Sequence, residues 1–327
     1  MKFRDIDLSD NAINTEHLQL GIPPLERNVE GIALADAQSR TIKIAVWIAS
    51  TLLILLSLYL LSLLFGHGTV EAGSLINEAL HSNIFWSALV VGLLAQIVDG
   101  ALGMAYGVTS TTFLMASGIS PAMASASVHV AEVFTTGVSG ISHAKFGNVN
   151  KSLFLRLLIP GITGAVIGAY ILTNIDGKLI KPYISAYLLL MGLYIISKVF
   201  RKIEATRKEP KHVAKLALLG GFVDTTGGGG WGPVVTTTLV GTGQDPRTTI
   251  GSVNFAEFFL TFGSAITFTA LIGFGPWMVV AGLVIGGLFA APFAAYLCSK
   301  FKTRSLLIMV GSLITVVSIF NLYKSLA

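Results

Sequence analysis

Long apolar runs, broken by short polar or glycine-rich stretches, fill the chain from about residue 41 to its end. The first forty residues are different: polar, mixed in sign, and interrupted by Pro23-Pro24, which discourages a long helix there. The apolar run from about Thr41 to Phe65 is long enough to cross a bilayer and follows a hydrophilic stretch too long for a signal-peptide n-region. The pattern therefore predicts a polar tail over 1–40 and a retained transmembrane helix over 41–66. Beyond it the apolar runs fall into two sets of five. Each set opens with an apolar stretch that ends at an Asp (about 83–98, and 213–223). A glycine-rich break and a second short stretch follow (104–117, and 231–242). Three fuller helices complete each set, at 122–145, 153–173 and 182–200, then at 247–272, 276–299 and 304–324.

The two sets are copies. A shift of 125 positions lays residues 98–139 on 223–264 without a gap, with identical residues at sixteen of forty-two positions. The matches include Asp99/Asp224, Gly103/Gly228, Gly107/Gly232, Thr111/Thr236, Pro121/Pro246, Ser127/Ser252, Glu132/Glu257 and Thr136/Thr261. Chance rarely puts two acidic residues, a proline and several glycines into one ungapped register. The chain divides into a first repeat over 83–201, a basic linker over 202–212 and a second repeat over 213–325.

Composition agrees with a membrane protein. Of 327 residues, 53% are hydrophobic and only 12% charged, and mean hydropathy is +0.75. A soluble domain carries about twice that charge fraction, so a soluble enzyme is excluded. The net charge of +5 and pI near 9.3 do not indicate nucleic acid. The basic residues sit in clusters between apolar runs, the pattern that sets bilayer topology. One cysteine, Cys298, excludes a disulfide framework, a Cys-based zinc site and an iron–sulfur cluster. No cofactor or metal is expected.

Charge also predicts how the short stretches sit. With about 10 to 16 residues each, they span about 15–24 Å against a hydrocarbon core of about 30 Å. If the tail is cytoplasmic and each short pair is a re-entrant hairpin, three helices cross per repeat. Of the 22 Lys and Arg, all but Lys178, Lys181 and Lys324 then face the cytoplasm. If each pair made one crossing, the cluster from Lys198 to Lys215 and that of Lys300, Lys302 and Arg304 would lie on opposite sides, against the positive-inside bias. An odd number of crossings per repeat inverts the second relative to the first. The predicted fold is thus all-α and polytopic: two inverted repeats, each a re-entrant broken-helix hairpin plus three transmembrane helices, preceded by one extra N-terminal helix. That architecture is the mark of a secondary transporter. Gly227 to Gly230 followed by Pro233 argues against mere packing glycines, because four glycines in a row cost roughly 1 kcal/mol each in a helix. Non-helical backbone at membrane depth persists only inside protein or along a cavity.

These breaks carry a resemblance. The segment Asp224-Thr225-Thr226-Gly227-Gly228-Gly229-Gly230-Trp231-Gly232-Pro233, each break's following Thr/Ser-bearing helix, and the turn His143-Ala144-Lys145-Phe146-Gly147-Asn148-Val149 resemble the TauE/SafE family, also called the toluene sulfonate uptake permeases. The resemblance spans about 83–325. It implies a carrier of sulfite, sulfonates or related organosulfur anions in the cytoplasmic (inner) membrane. The first repeat departs from the pattern: Asp99 to Gly107 lacks the glycine run, and Val108 stands where the second repeat has proline.

The residues suggest where such an anion would bind. A hairpin whose second arm starts at Gly230 to Pro233 turns amide N–H groups and a positive dipole end toward the membrane centre. Candidate substrate-binding residues are therefore Gly228, Gly229, Gly230, Trp231 and Thr236, with Gly103, Tyr106 and Thr111 in the first repeat. Tyr106 and Trp231 either gate the pocket or wedge the turn, and the hydroxyls of Thr111, Thr112, Thr236 and Thr237 either meet substrate oxygens or join helices. Ser125, His129, Glu132, Thr136, Ser139 and His143 recur at spacings of three and four, and so share one helical face. Asn254, Glu257, Thr261 and Ser264 repeat it. Such a stripe must face protein or water, since facing lipid would cost several kcal/mol. His129 and Asn254 are candidate donors to the anion, and the matched pair Ser127 and Ser252 completes the candidate set.

Glu132 and Glu257 are candidate proton carriers, or else accept hydrogen bonds that join the repeats. Asp99 and Asp224 either hold a coupling proton or sodium ion or cap loop amides. An intramembrane enzyme is disfavoured: there is no Gly-Xaa-Ser-Xaa-Gly elbow and no His-Glu-Xaa-Xaa-His. A scaffold would need no paired helix breaks. A cation carrier is the closer rival, because four membrane acids are many for an anion site. The bundle suits either a single chain or a homodimer.

Overall fold

The computed structural model describes residues 39–66, 69–102, 104–197, 200, 210–242, 244–273, 275–300 and 303–326. Among them the chain forms twelve α-helices and one π-helical turn. Helix α1 (Arg40–Phe65) is followed by α2 (Thr69–Leu80). The first repeat supplies α3 (Asn83–Leu102), α4 (Tyr106–Ala116), α5 (Pro121–Lys145), α6 (Lys151–Asn174) and α7 (Gly177–Ser197). The second supplies α8 (Val213–Gly227), the π turn Gly232–Thr236 running into α9 (Thr237–Gly241), then α10 (Pro246–Ile272), α11 (Trp277–Lys300) and α12 (Thr303–Leu326). The tail and most of the linker lie outside the described residues.

Local chemistry explains where these helices start. Ser120 caps α5 by accepting from the Met123 amide, and Asp245 caps α10 by accepting from the Thr248 amide. Each cap is followed by a proline at the first helical position, where its missing N–H costs nothing. The two caps fall 125 residues apart, so the duplication reaches into the helix starts. The π turn has an equally local cause. Pro233 has no N–H to give, and the bonding pattern widens so that the Thr237 amide reaches the Gly232 carbonyl.

Residues 69–80 form α2, which meets α3 at a 74° bend. One expectation is corrected: the first arm of the first hairpin is not short, since α3 runs 20 residues to Leu102, about 30 Å. Its run of apolar residues continues through Ala101 and Leu102, which the acidic and glycine residues at 99 and 100 do not interrupt. The other arms are short, at 15 residues for α8 and 11 for α4, about 22 and 16 Å.

Among the described residues, four helices are long and apolar enough to cross a membrane (α1 over Arg40–Ser62, α6, α7, and α10 over Thr248–Ile272), and the bent pair α2–α3 offers a fifth. The chain is a multi-pass α-helical membrane protein.

The repeats interlock. First arm α3 packs along α11 of the other repeat, and α8 packs along α6. Helices α5 and α10 cross each other, as do α7 and α12. Every one of these pairings maps onto itself or onto another under the 125-residue shift. Close backbone approach makes the exchanged pairs possible. A methyl group at Gly286 would lie 2.1 Å from the Leu89 carbonyl oxygen, and one at Gly164 would lie 2.0 Å from that of Leu218. Small residues at such crossings are how helices pack where lipid removes the hydrophobic drive.

Candidate functional site

The polar stripe predicted on α5 and α10 is buried in the bundle except at Ser139 and His143, which are half-buried. Ser125, His129, Glu132, Thr136, Asn254, Glu257, Thr261 and Ser264 are all buried, with Glu257 the most exposed at 8%. Several of its hydroxyls turn back on their own helix: Thr136 donates to the Glu132 carbonyl at 2.5 Å and Thr261 to the Glu257 carbonyl at 2.9 Å.

The two hairpin tips meet where these helices cross. Backbone packs on backbone: a methyl at Gly229 would lie 2.2 Å from the Val108 nitrogen, and one at Gly107 would lie 2.7 Å from the Gly229 Cα. The Thr111 hydroxyl donates to the Gly228 carbonyl, joining the tips, and Tyr187 on α7 donates to the Gly229 carbonyl at 2.8 Å. Between the tips lies a small cavity bounded by residues 105–108, 229, 230, 232 and 233, by Thr136 and by the acids Asp99, Glu132, Asp224 and Glu257. It leaves about 10 Å³ for the centre of a water-sized sphere, room for about one water molecule. No Lys or Arg lines it.

The four acids differ in their partners. Asp224 is held on every side. Its Oδ1 accepts from the Gly230 amide at 2.7 Å and the Trp231 amide at 2.9 Å, its Oδ2 meets His129 Nε2 at 3.0 Å, and its own carbonyl accepts from the Gly229 amide at 2.8 Å. Asp224 therefore caps the second tip. Asp99 lines the cavity at the position that matches Asp224 under the 125-residue shift. Glu132 is different: its Oε2 is buried and has no hydrogen-bond partner. The Glu257 carboxyl likewise has none among the described residues. A buried carboxyl without a partner costs more than it contributes.

The remaining candidate residues divide. Gly228, Gly229 and Gly230 form the second tip, with Gly228 and Gly229 at φ values of +69° and +141° that disfavour any side chain. Their amides and that of Trp231, expected to face substrate, are already taken by Asp224. The Trp231 ring is fully buried against Gly161 and Gly220, and its Nε1 donates to the Val253 carbonyl at 3.2 Å. It wedges the fold and does not line the cavity. Tyr106 does line the cavity, and its hydroxyl donates to the Leu283 carbonyl at 3.1 Å. Thr236 is buried with its hydroxyl unpartnered. Asn254 donates to Ser139 at 3.2 Å and leaves its oxygen unpartnered, so the two repeats treat positions 129 and 254 differently. Ser127 bonds to its own helix at Met123, and Ser252 receives the Asn150 amide at the start of α6. Neither reaches the cavity. Gly103 lies outside the described residues. Tyr187 was missed, because a lone tyrosine in an apolar run carries no periodic signal and has no tyrosine 125 residues on.

A multi-pass helical bundle whose interrupted helices meet over buried, unpaired acids defines a membrane transport protein. The chain belongs to the sulfite exporter TauE/SafE family, whose model matches residues 88–321. It is 45% identical over 238 residues to the probable membrane transporter protein YtnM of Bacillus subtilis (strain 168), covering 70% of this chain and 79% of the relative. A second relative, the probable membrane transporter protein ORF9 of Sinorhizobium sp, is 26% identical over 210 residues, which is 62% of this chain and 76% of that protein. No solved structure matches the chain. The family and both relatives are described as transporting, not as enzymes.

Proposed function

We propose that the chain is a secondary transporter that moves a small sulfur-containing anion, sulfite or an organosulfonate, across the cytoplasmic membrane by alternating access, driven by a proton or sodium ion. The observation that carries this reading is the meeting of two broken-helix tips over a cavity lined by four carboxyl groups and no basic side chain. An anion entering such a place needs its charge balanced, so cations or protons must accompany it. Glu132 and Glu257 take the coupling ion. The site as seen is closed. It has room for one water, and the tip amides of residues 229–231 are occupied, so binding requires the tips to part.

The exchange of packing partners under the 125-residue shift supports reading the repeats as related by an approximate two-fold axis. The basic-residue distribution supports a re-entrant second hairpin, a cytoplasmic N-terminus and inversion of the second repeat. For the first hairpin, the length of α3 removes one argument and leaves the charge argument standing. A second reading, a carrier of cations alone, is favoured by the four acids themselves.

Ligand-dependent stabilisation separates the two readings. Purified protein in detergent is melted with sulfite, thiosulfate, sulfate, taurine, sulfoacetate, acetate or chloride, as sodium or potassium salts at fixed ionic strength. A ligand bound only by the folded state raises the melting point, by about 2.7 kcal/mol of stability at a hundred times its Kd. One sulfur oxyanion is expected to stabilise while acetate and chloride do not. Stabilisation by sodium with no anion effect would replace this proposal with the cation carrier.

A further inference from the structure

Hydrogen-bond accounting at His129 assigns a proton. Nδ1 lies 2.8 Å from the Ser125 carbonyl oxygen, which can only accept, so Nδ1 carries hydrogen. The Ser125 hydroxyl, 3.3 Å from the same nitrogen, is turned to the Thr225 carbonyl at 2.7 Å and is free to accept as well. With Nδ1 protonated, a neutral ring has a lone pair at Nε2. That lone pair would face Asp224 Oδ2 at 3.0 Å, acceptor against acceptor. The contact is a hydrogen bond only if one further proton lies between them, whether as imidazolium with carboxylate or as imidazole with carboxylic acid. Both side chains are buried, and Asp224 Oδ1 is fully engaged by the Gly230 and Trp231 amides.

We propose that His129 and Asp224 form a proton-binding site whose single shared proton ties the tip of the second hairpin to helix α5. When the proton leaves, a carboxylate and a neutral imidazole remain, the bond between α5 and the tip is lost, and the tip is freed to move. The proton's departure route is the adjacent acidic cavity. Glu132 is the next ionisable group on α5, Asp99 and Tyr106 face the pair from the first hairpin, Glu257 from α10 and Tyr187 from α7. The Phe268 ring of α10 packs on the imidazole at 5.8 Å between centroids. The basic groups on α1, α6 and α8, namely Arg40, Lys43, Lys151, Arg156 and Lys215, sit in the first two turns of their helices, away from the pair. That of α11, Lys300, is its last residue. Taken with the coupling proposed above, on which this step rests, the inference names the proton as a coupling ion and this pair as one of its seats.

Asp224→Asn separates a shared proton from a merely structural contact. Asn keeps an oxygen for the two amides and presents a permanent N–H to His129 Nε2, so the tip is tied at every pH. Hydrogen exchange of the amides of residues 229–231 is followed in nanodisc-embedded full-length protein from pH 6 to 9. Times are rescaled for intrinsic exchange, and no substrate is added, so the outcome does not depend on which anion is carried. Wild type is expected to lose tip protection by at least tenfold as the pH rises, while Asp224→Asn stays protected throughout. Protection in α6 and α11 reports whether the variant is folded. Should it not fold, His129→Gln takes its place, with a fixed N–H toward the carboxylate and again no pH step. Parallel profiles for wild type and variant, or a wild-type profile without a step, would overturn the proposal.

Discussion

Replacing Glu132 by Gln is expected to cut ion-driven flux by about 100-fold, equivalent to about 2.7 kcal/mol on the barrier, while the protein stays folded and melts no lower than wild type. The side chain is buried to 3% exposure, one carboxyl oxygen has no partner, and the group borders a cavity with three other acids. Gln keeps the shape and removes the ionisable group, so it relieves the cost of burying a carboxyl next to like charges. It also removes the capacity to carry a proton or to balance a cation. Loss of function with no loss of stability is the pattern expected of a group retained for activity. A structural joint between repeats would give the opposite, a lowered melting point with coupling intact. Glu257→Gln is expected to act in the same direction. If both variants leave pH-driven transport unchanged, the coupling role assigned to the glutamates is wrong.

At Gly229 the expected loss is of the fold itself. Gly229→Ala is predicted to lose roughly 3 kcal/mol, from about 1–2 kcal/mol of backbone strain at positive φ and about 1–3 kcal/mol of overpacking. At φ +141° an L-residue is strained whatever the space, and here there is none. The new methyl would lie 2.2 Å from the Val108 nitrogen and 2.3 Å from the Gly107 carbonyl carbon, rigid backbone of the opposing tip. The tips must separate to admit it, and the Thr111–Gly228 and Tyr187–Gly229 bonds must break. Gly263→Ala on α10 is the control. Its methyl would meet only side-chain atoms at 3.5 Å or more, ordinary contact, and it is expected to melt like wild type. Equal melting points for the two variants would mean that the tips do not meet as described.

The fold was legible to the extent that it is periodic or duplicated. The repeat fixed which helices correspond, and the 3-and-4 spacing from Ser125 to Thr136 put one face inward. Both signals survive because burying a polar stripe is costly unless its whole face is enclosed. Helix α2 was not legible, because residues 69–80 are neither strongly apolar nor bounded by a cap seen in the sequence. The length of α3 was misread for a related reason. Asp99 and Gly100 look like a stop, yet the helix continues two residues beyond them, to Leu102.

At the site, the acids were found because ionisable residues in apolar runs are rare. Their division of labour was not. Asp224 as a cap and Glu132 as a partnerless group have the same sequence context, an acid in an apolar run, and only the distances to the tip amides separate them. That the Gly230 and Trp231 amides are occupied in the closed site was not legible for the same reason: nothing in the sequence says that the aspartate six and seven residues before them turns back to accept their hydrogens.

The most direct test is flux in proteoliposomes that hold the purified protein. Labelled sulfite is offered outside, with an imposed proton or sodium gradient directed inward and then with none. Concentrative sulfite movement that depends on one of the gradients, and is lost in Glu132→Gln, is expected. Sulfite movement indifferent to both gradients, or gradient dissipation with no sulfite movement at all, would contradict the proposed function.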